Sequence, residues 1–194
     1  MNIEELRVGF AFCGSFCTMS KALDALEQTA ARFGPVTPIV SETVAATDTR
    51  FGKAHDFMRE MERLCDRRVI DTVAAAEPIG PKGLLDVLVV CPCTGNTLAK
   101  LAHGVTDSSV TMAAKAHLRN GKPLVLALAT NDGLAGSAPN LGTMLSRKNV
   151  YFVPFGQDDY AGKPTSLVAD FSLVPATVEA ACRGEQIQPI LARG

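Results

Sequence analysis

The chain has 194 residues, 47% apolar and 20% charged, with a formal net charge of −1. That is the balance of a globular protein large enough to bury a core in one domain without staples. No Lys/Arg block marks a nucleic-acid or anionic-membrane partner, and no apolar run approaches a membrane span. The N-terminus lacks a basic start followed by an apolar stretch, so a cytoplasmic protein is expected. The six cysteines, Cys13, Cys17, Cys65, Cys91, Cys93 and Cys182, form no Cys-x-x-Cys pair, so we expect reduced, mostly buried thiols and no metal site.

Leu6 to Cys13 reads as a first strand, and Gly14-Ser15 follows before helical spacing begins through Leu23, Leu26 and Phe33. A strand, a Gly-Ser turn and a helix form a phosphate-cradle pattern, because glycine admits a ligand close to the backbone and the helix start offers free N–H groups. Val36 to Ser41 predicts a second strand whose end carries Ser41 and Thr43. The apolar spacing from Thr49 to Cys65 predicts an amphipathic helix with Arg50 and His55 near its start. Arg68 to Val73 reads as a third, edge-type strand, and Ala74 to Gly83, with two prolines and two glycines, as a loop.

Val87 to Val90 is an unbroken apolar run of the kind covered on both faces of a sheet. It ends at Pro92, and Thr94, Gly95, Asn96 and Thr97 are small, donor-rich residues suited to starting a helix. A helix from about Ser108 to Arg119 ends at Asn120-Gly121, and Leu124 to Ala129 is a second continuous apolar strand. Thr130, Asn131 and Asp132 stand at its end. A helix from Leu141 to Arg147, a last strand from Val150 to Phe155, a polar turn-rich stretch and a closing helix from about Leu173 to Arg183 complete the chain.

This alternation predicts an α/β fold with a doubly wound parallel sheet. Three strand ends, Gly14-Ser15, Thr94 to Thr97 and Thr130 to Asp132, then converge on the carboxyl edge, where ligands bind in such sheets. The first turn lacks a Gly-x-Gly-x-x-Gly fingerprint and no acidic residue closes the second strand. A dinucleotide is therefore disfavoured, and a mononucleotide with a flat ring, as in FMN, suits the Ser-lined turn better. Asp107, Asn131 and Asp132 are candidate polar contacts for a substrate, with Lys100 or Arg50 as possible carboxylate partners.

The stretch Pro92-Cys-Thr-Gly-Asn-Thr-Leu-Ala-Lys-Leu-Ala-His-Gly-Val-Thr-Asp107 resembles the Pro-Ala-Thr-Ala-Asn-Thr-Ile-Ala-Lys-Ile-Ala-Asn-Gly-Ile-Ala-Asp signature of the flavoprotein family of cysteine decarboxylases and flavin prenyltransferases. Thr49 to Gly52, Ala76 to Lys82, Met112 to Ala116 and Asn149 to Asp159 extend the resemblance toward the dipicolinate synthase B-subunit branch. It implies a flavodoxin-like Rossmann fold of three α/β/α layers, a homo-oligomer, and FMN bound by Gly14, Ser15, Ser41, Thr94, Asn96 and Thr97. Phe16, Thr43, Pro92, Cys93, Thr130 and Asn131 complete the candidate cofactor set from the same strand ends; the catalytic residues stay unassigned.

The resemblance further implies a separate A subunit using NADP, a dicarboxylate substrate converted to dipicolinate during sporulation, and residence in the mother-cell cytoplasm of a spore-forming bacterium. A non-catalytic partner of the A subunit and a free-standing flavoprotein acting on another small acid remain open. Cys93 replaces the signature alanine. The Pro-x-Met-Asn-x-x-Met-Trp clamp of the decarboxylase branch has no counterpart in Ala129 to Gly136, so cysteine decarboxylation is not expected.

Overall fold

The computed structural model describes residues 6–192. Its centre is β1 (Val8–Phe12), flanked by β2 (Thr37–Val40) and β3 (Val87–Cys93); β4 (Leu124–Thr130) and β5 (Val150–Phe152) continue outward from β3. All these pairings are parallel, which gives the order β2-β1-β3-β4-β5 with its reversal of direction between β1 and β3. Helix α1 (Met19–Phe33) and α8 (Val174–Cys182) pack together on one face. The other carries α5 (Gly95–His103), α6 (Ser109–Leu118) and α7 (Ala138–Leu145), so the sheet is doubly wound. Two-sided cover explains the unbroken apolar runs: Val87 to Val90 and Leu124 to Leu128 are completely buried.

A short antiparallel ribbon departs from the all-parallel expectation. Residues Phe155–Gly156 form β6 and Leu167–Ala169 form β7, and β7 pairs with Ala129 and Thr130 at the carboxyl end of β4. The single strand predicted over Val150 to Phe155 is thus broken at Val153-Pro154, because proline supplies no N–H to continue a ladder. The ribbon brings Asp158 and Lys163 of the 157–166 connection to one cavity with Thr94 and Thr130, at the ends of β3 and β4.

Three other expectations are corrected. Arg68 to Val73 makes only an isolated parallel bridge, Ile39 to Ile70. Its ladder stops because Thr72 already caps the short helix α4 (Val73–Ala76), accepting the Ala75 N–H at 3.2 Å. The loop predicted over Ala74 to Gly83 contains α4 and a 3-10 turn at Glu77–Ile79, in which Pro78 occupies an early position that needs no N–H. The helix predicted from Thr49 begins only at α3 (Ala54–Cys65), and a five-residue α2 (Glu42–Ala46) follows β2. Among the described residues no helix is long and apolar enough to cross a membrane.

Candidate functional site

The carboxyl ends of β1, β2, β3 and β4 enclose two compartments that share Gly14, Thr94 and Asn96. The first, about 390 Å³, lies between β1, β2 and the start of α5. The second, about 600 Å³, extends past β4 beneath the 157–166 connection.

In the first compartment Ser41 caps α2, its Oγ accepting the Val44 N–H at 3.4 Å, which leaves the hydroxyl proton free to donate. Thr43 follows in the first turn of that helix, and its Cγ2 lies 3.4 Å from where a Cβ on Gly14 would sit. Two carboxylates line this space, and both are engaged. Glu42 accepts the Ser109 N–H at 3.0 Å, and Asp107 pairs with Lys100 at 2.8 Å, which lowers the Asp107 pKa. The next residue, Ser108, caps α6 in a reciprocal box with Thr111.

Thr94 caps α5 by accepting the Thr97 N–H at 3.2 Å, so the first-turn N–H groups of this helix open toward the shared wall. Beside them stands a carboxylate network: Asp132 Oδ1 accepts the Thr130 hydroxyl at 2.5 Å and the Ser137 hydroxyl at 2.8 Å. These two donors hold the Asp132 pKa below the usual carboxylate value. Gly95 makes the network possible, because a Cβ there would lie 2.6 Å from Thr130 Oγ1, 2.7 Å from Ser137 Oγ and 2.9 Å from Asp132 Oδ1. A negative group already sits over the α5 N-terminus, so a second anion is less favoured there than among the hydroxyls of the β1–β2 end.

Ser15 begins the turn after β1, where a 3-10 turn at Phe16–Thr18 precedes α1. Its Oγ accepts the Thr18 hydroxyl at 3.0 Å and keeps its own proton to donate. Of the sequence-derived cofactor set, Gly14, Ser41, Thr43, Thr94, Asn96 and Thr97 line the first compartment. Ser15, Phe16, Thr130 and Asn131 line the second, together with Asp132 and Arg50.

Pro92 and Cys93 line neither compartment. Both are buried in β3, which runs through the expected end at Pro92 to Cys93, with a register shift against β4 between Val90 and Cys93. The bulge accommodates the proline and leaves Cys93 in the core beneath the floor. Burial pushes the Cys91 and Cys93 thiols well above their ordinary pKa and Cys13 up to about 11. None of these is a thiolate nucleophile.

Asp158, Lys163 and Phe51 also line the second compartment, and the residue pattern alone did not single them out. Lys163 and Asp158 lie some thirty residues beyond β4 in a stretch with no periodicity; only the β6–β7 pairing carries them back. None of the three histidines lines either compartment. His117 is buried and bonds through Nε2 to the Pro123 carbonyl at 2.9 Å, and burial presses its pKa down to about 4. Among the described residues no three His, Cys, Asp or Glu side chains gather as a metal-binding group.

The sequence model of the Flavoprotein family matches residues 2–149. The chain is 44% identical over 190 residues to the dipicolinate synthase B subunit of Bacillus subtilis, covering 98% of this chain and 95% of that one. The crystal structure of the dipicolinate synthase B subunit from Bacillus halodurans superposes with a TM-score of 0.91 at 44% identity, over 100% of this chain and 99% of the other. An FMN-dependent cysteine decarboxylase structure, 19% identical, shares the fold at a TM-score of 0.70 over 92% of this chain and 98% of its own. By family match and by identity over nearly its whole length, the chain belongs to the Flavoprotein family.

Proposed function

We propose that this chain is the B subunit of a dipicolinate synthase, and that its joined compartments hold one FMN. The observation that carries the reading is the 44% identity to such a subunit, sustained over 98% of the chain. The site chemistry supports the cofactor. Ser15, Ser41 and Thr43 offer hydroxyl donors for a phosphate. Gly14 leaves the approach clear, and Thr94 to Asn96 present the first-turn N–H groups of α5 to a flat ring, beside the Asp132 carboxylate that Thr130 and Ser137 hold. The compartments have the size of ordinary cofactor clefts, roughly 300 to 1,000 Å³.

FMN, when bound, would supply a two-electron acceptor for the oxidation that aromatises a dihydro dicarboxylate ring, a hydroxy-tetrahydro precursor losing water as well. The protein's part is to fix the cofactor between β1 and β4 and to orient a hydroxy-tetrahydrodipicolinate or dihydrodipicolinate precursor at the open side of the second compartment. The carboxylates of Asp132 and Asp158 line that side, and the hydroxyl donors that hold their pKa values low make them fixed charges rather than strong bases. In this reading the chain works as a homo-oligomer with an A subunit that uses NADP, in the cytoplasm of a spore-forming bacterium.

Two measurements test it. The chain purified alone should carry or take up FMN, visible as flavin absorption that follows the protein through gel filtration. Dipicolinate formation should require both subunits. A colourless protein that cannot be reconstituted with FMN refutes the cofactor, and full activity from the A subunit alone refutes a required role for this chain.

A further inference from the structure

At the mouth of the second compartment the chain builds a tight turn whose conformation is fixed from several directions. The Thr49 N–H donates to the Gly52 carbonyl at 3.0 Å, the Gly52 N–H returns to the Thr49 carbonyl at 3.2 Å, and the Phe51 N–H donates to Thr49 Oγ1 at 3.2 Å. Gly52 has φ +152°, and any Cβ there would meet the Phe57 ring at 2.7 Å. Just beyond, Asp48 Oδ1 accepts the Ala54 N–H at 2.9 Å. The two tip residues are Arg50 and Phe51, where turns usually carry small polar residues. Both line the compartment; Phe51 is 46% exposed, and the Arg50 guanidinium carbon lies 4.8 Å from the centroid of its ring. Arg50 takes part in none of the ion pairs among the described residues.

A second cation reaches the same compartment from the other side of the β1–β3 pair. Lys163 sits on the 157–166 connection, in a turn closed by its own N–H to the Asp159 carbonyl at 2.7 Å and by the Gly162 N–H to Asp159 Oδ1 at 2.8 Å. Its Nζ forms a loose ion pair with Asp158 Oδ2 at 3.7 Å, beyond hydrogen-bond distance, while Asp158 Oδ1 accepts the Ser166 hydroxyl at 2.7 Å. The pair leaves the ammonium without a close hydrogen-bond acceptor, so its N–H donors can turn to a ligand carboxylate. An exposed aromatic face, a free guanidinium fork and an ammonium on one cavity match a flat ring bearing two carboxylates.

We propose that Arg50 and Lys163 are the two carboxylate anchors, and Phe51 the ring platform, for a planar cyclic dicarboxylate at the mouth of this compartment. The inference deepens the proposed function and rests on it for the substrate class. Arg50 takes one carboxylate through its fork and Lys163 takes the other. Gly52 is a positioning residue that sets the direction of the tip. A monocarboxylate ring fills only one anchor and binds more weakly.

The test is isothermal titration calorimetry of the full chain with pyridine-2,6-dicarboxylate and with pyridine-2-carboxylate, on wild type, Arg50→Gln, Lys163→Gln and Gly52→Ala. Each charge variant should weaken the dicarboxylate by about ten- to a hundredfold, the loss expected for one charge-assisted contact. Both should narrow the preference for it over the monocarboxylate. Gly52→Ala, with all charges kept, should weaken the dicarboxylate as well. Thermal unfolding of each variant checks that the fold is retained, and Arg50→Lys, which keeps charge without the fork, should fall between wild type and Arg50→Gln.

Wild type that fails to distinguish the two acids, or charge variants that bind the dicarboxylate as tightly as wild type, overturn the assignment. Flavin absorption of the same samples reports separately on the cofactor. Wild type that holds FMN without binding the dicarboxylate sinks the anchors alone. Wild type that takes no FMN sinks the cofactor reading, while the calorimetry still decides the anchors.

Discussion

Gly95→Ala tests the packing on which the shared wall depends. The added methyl would lie 2.6, 2.7 and 2.9 Å from Thr130 Oγ1, Ser137 Oγ and Asp132 Oδ1, whereas carbon and oxygen rest at about 3.3 Å or more. The three oxygens cannot retreat independently, because both hydroxyls donate to the same Asp132 oxygen at 2.5 and 2.8 Å. Overpacking costs about 1–3 kcal/mol and straining a hydroxyl–carboxylate bond about 1 kcal/mol more at this partly exposed site. The better helix propensity of alanine returns up to about 1 kcal/mol. The net loss of about 1–3 kcal/mol corresponds to a fall of roughly 3 to 10 °C in Tm for a chain of this size.

Urea unfolding of two variants gives the contrast. Gly142→Ala lies within α7 with no atom within 4 Å of the new Cβ, and should stabilise by about 0.5–1 kcal/mol. Adding Thr130→Ala to Gly95→Ala removes the nearest oxygen and should recover part of the loss, a coupling that a double-mutant cycle measures. If Gly95→Ala is as stable as wild type, or if Thr130→Ala makes it worse by the same amount as it does wild type, the close-packed network is not what Gly95 serves.

Asp86 accepts from the Arg7 guanidinium at 2.8 and 2.9 Å and from Lys122 at 3.2 Å, and the Arg7 bonds hold its pKa far below the ordinary carboxylate value. Its contribution is present above the unfolded value, near 3.9, and is lost as pH falls toward the folded one. Asp86→Asn should therefore cost about 1–2 kcal/mol at pH 7, and the gap in urea midpoints should close in strong acid. His117, with its pKa pushed down to about 4, stays neutral in the fold while the unfolded chain takes up a proton below 6.5. Stability should fall as pH drops between those values, by at most about 1.4 kcal/mol per pH unit. His117→Gln, which can still donate to the Pro123 carbonyl, should flatten that window; an unchanged slope places its origin elsewhere. Thr94→Ala removes the α5 cap and should cost about 1 kcal/mol and weaken FMN retention, with Thr94→Ser restoring both. Retention unaffected by Thr94→Ala would detach this cap from the cofactor wall.

Local pattern was enough to place the strong elements. The runs at Val87 and Leu124 announce strands because only a strand covered on both faces is continuously apolar, and both are wholly buried. Thr94 announces the start of α5 because a small hydroxyl before an apolar-periodic run satisfies the first N–H groups. Parallel strands joined by helices then put their carboxyl ends on one edge, so residues eighty positions apart in the chain, such as Gly14 and Thr94, become neighbours predictably.

What the residues could not settle by themselves was direction and distant return. Pro92 and Cys93 stand within the family-like signature, yet β3 runs on through both, at a register shift against β4, and buries them in a sheet covered on both faces. The ribbon of β6 and β7 has only two and three residues per strand, too short for any periodicity, and its pairing with β4 is a tertiary contact. That pairing alone carries Asp158 and Lys163 to the compartment that Arg50 enters from the other side. Sequence thus determined the sheet and the turns at its edge, because burial and capping are local demands. The tertiary structure decided which side chains meet there, because bulges and strand pairing depend on partners far along the chain.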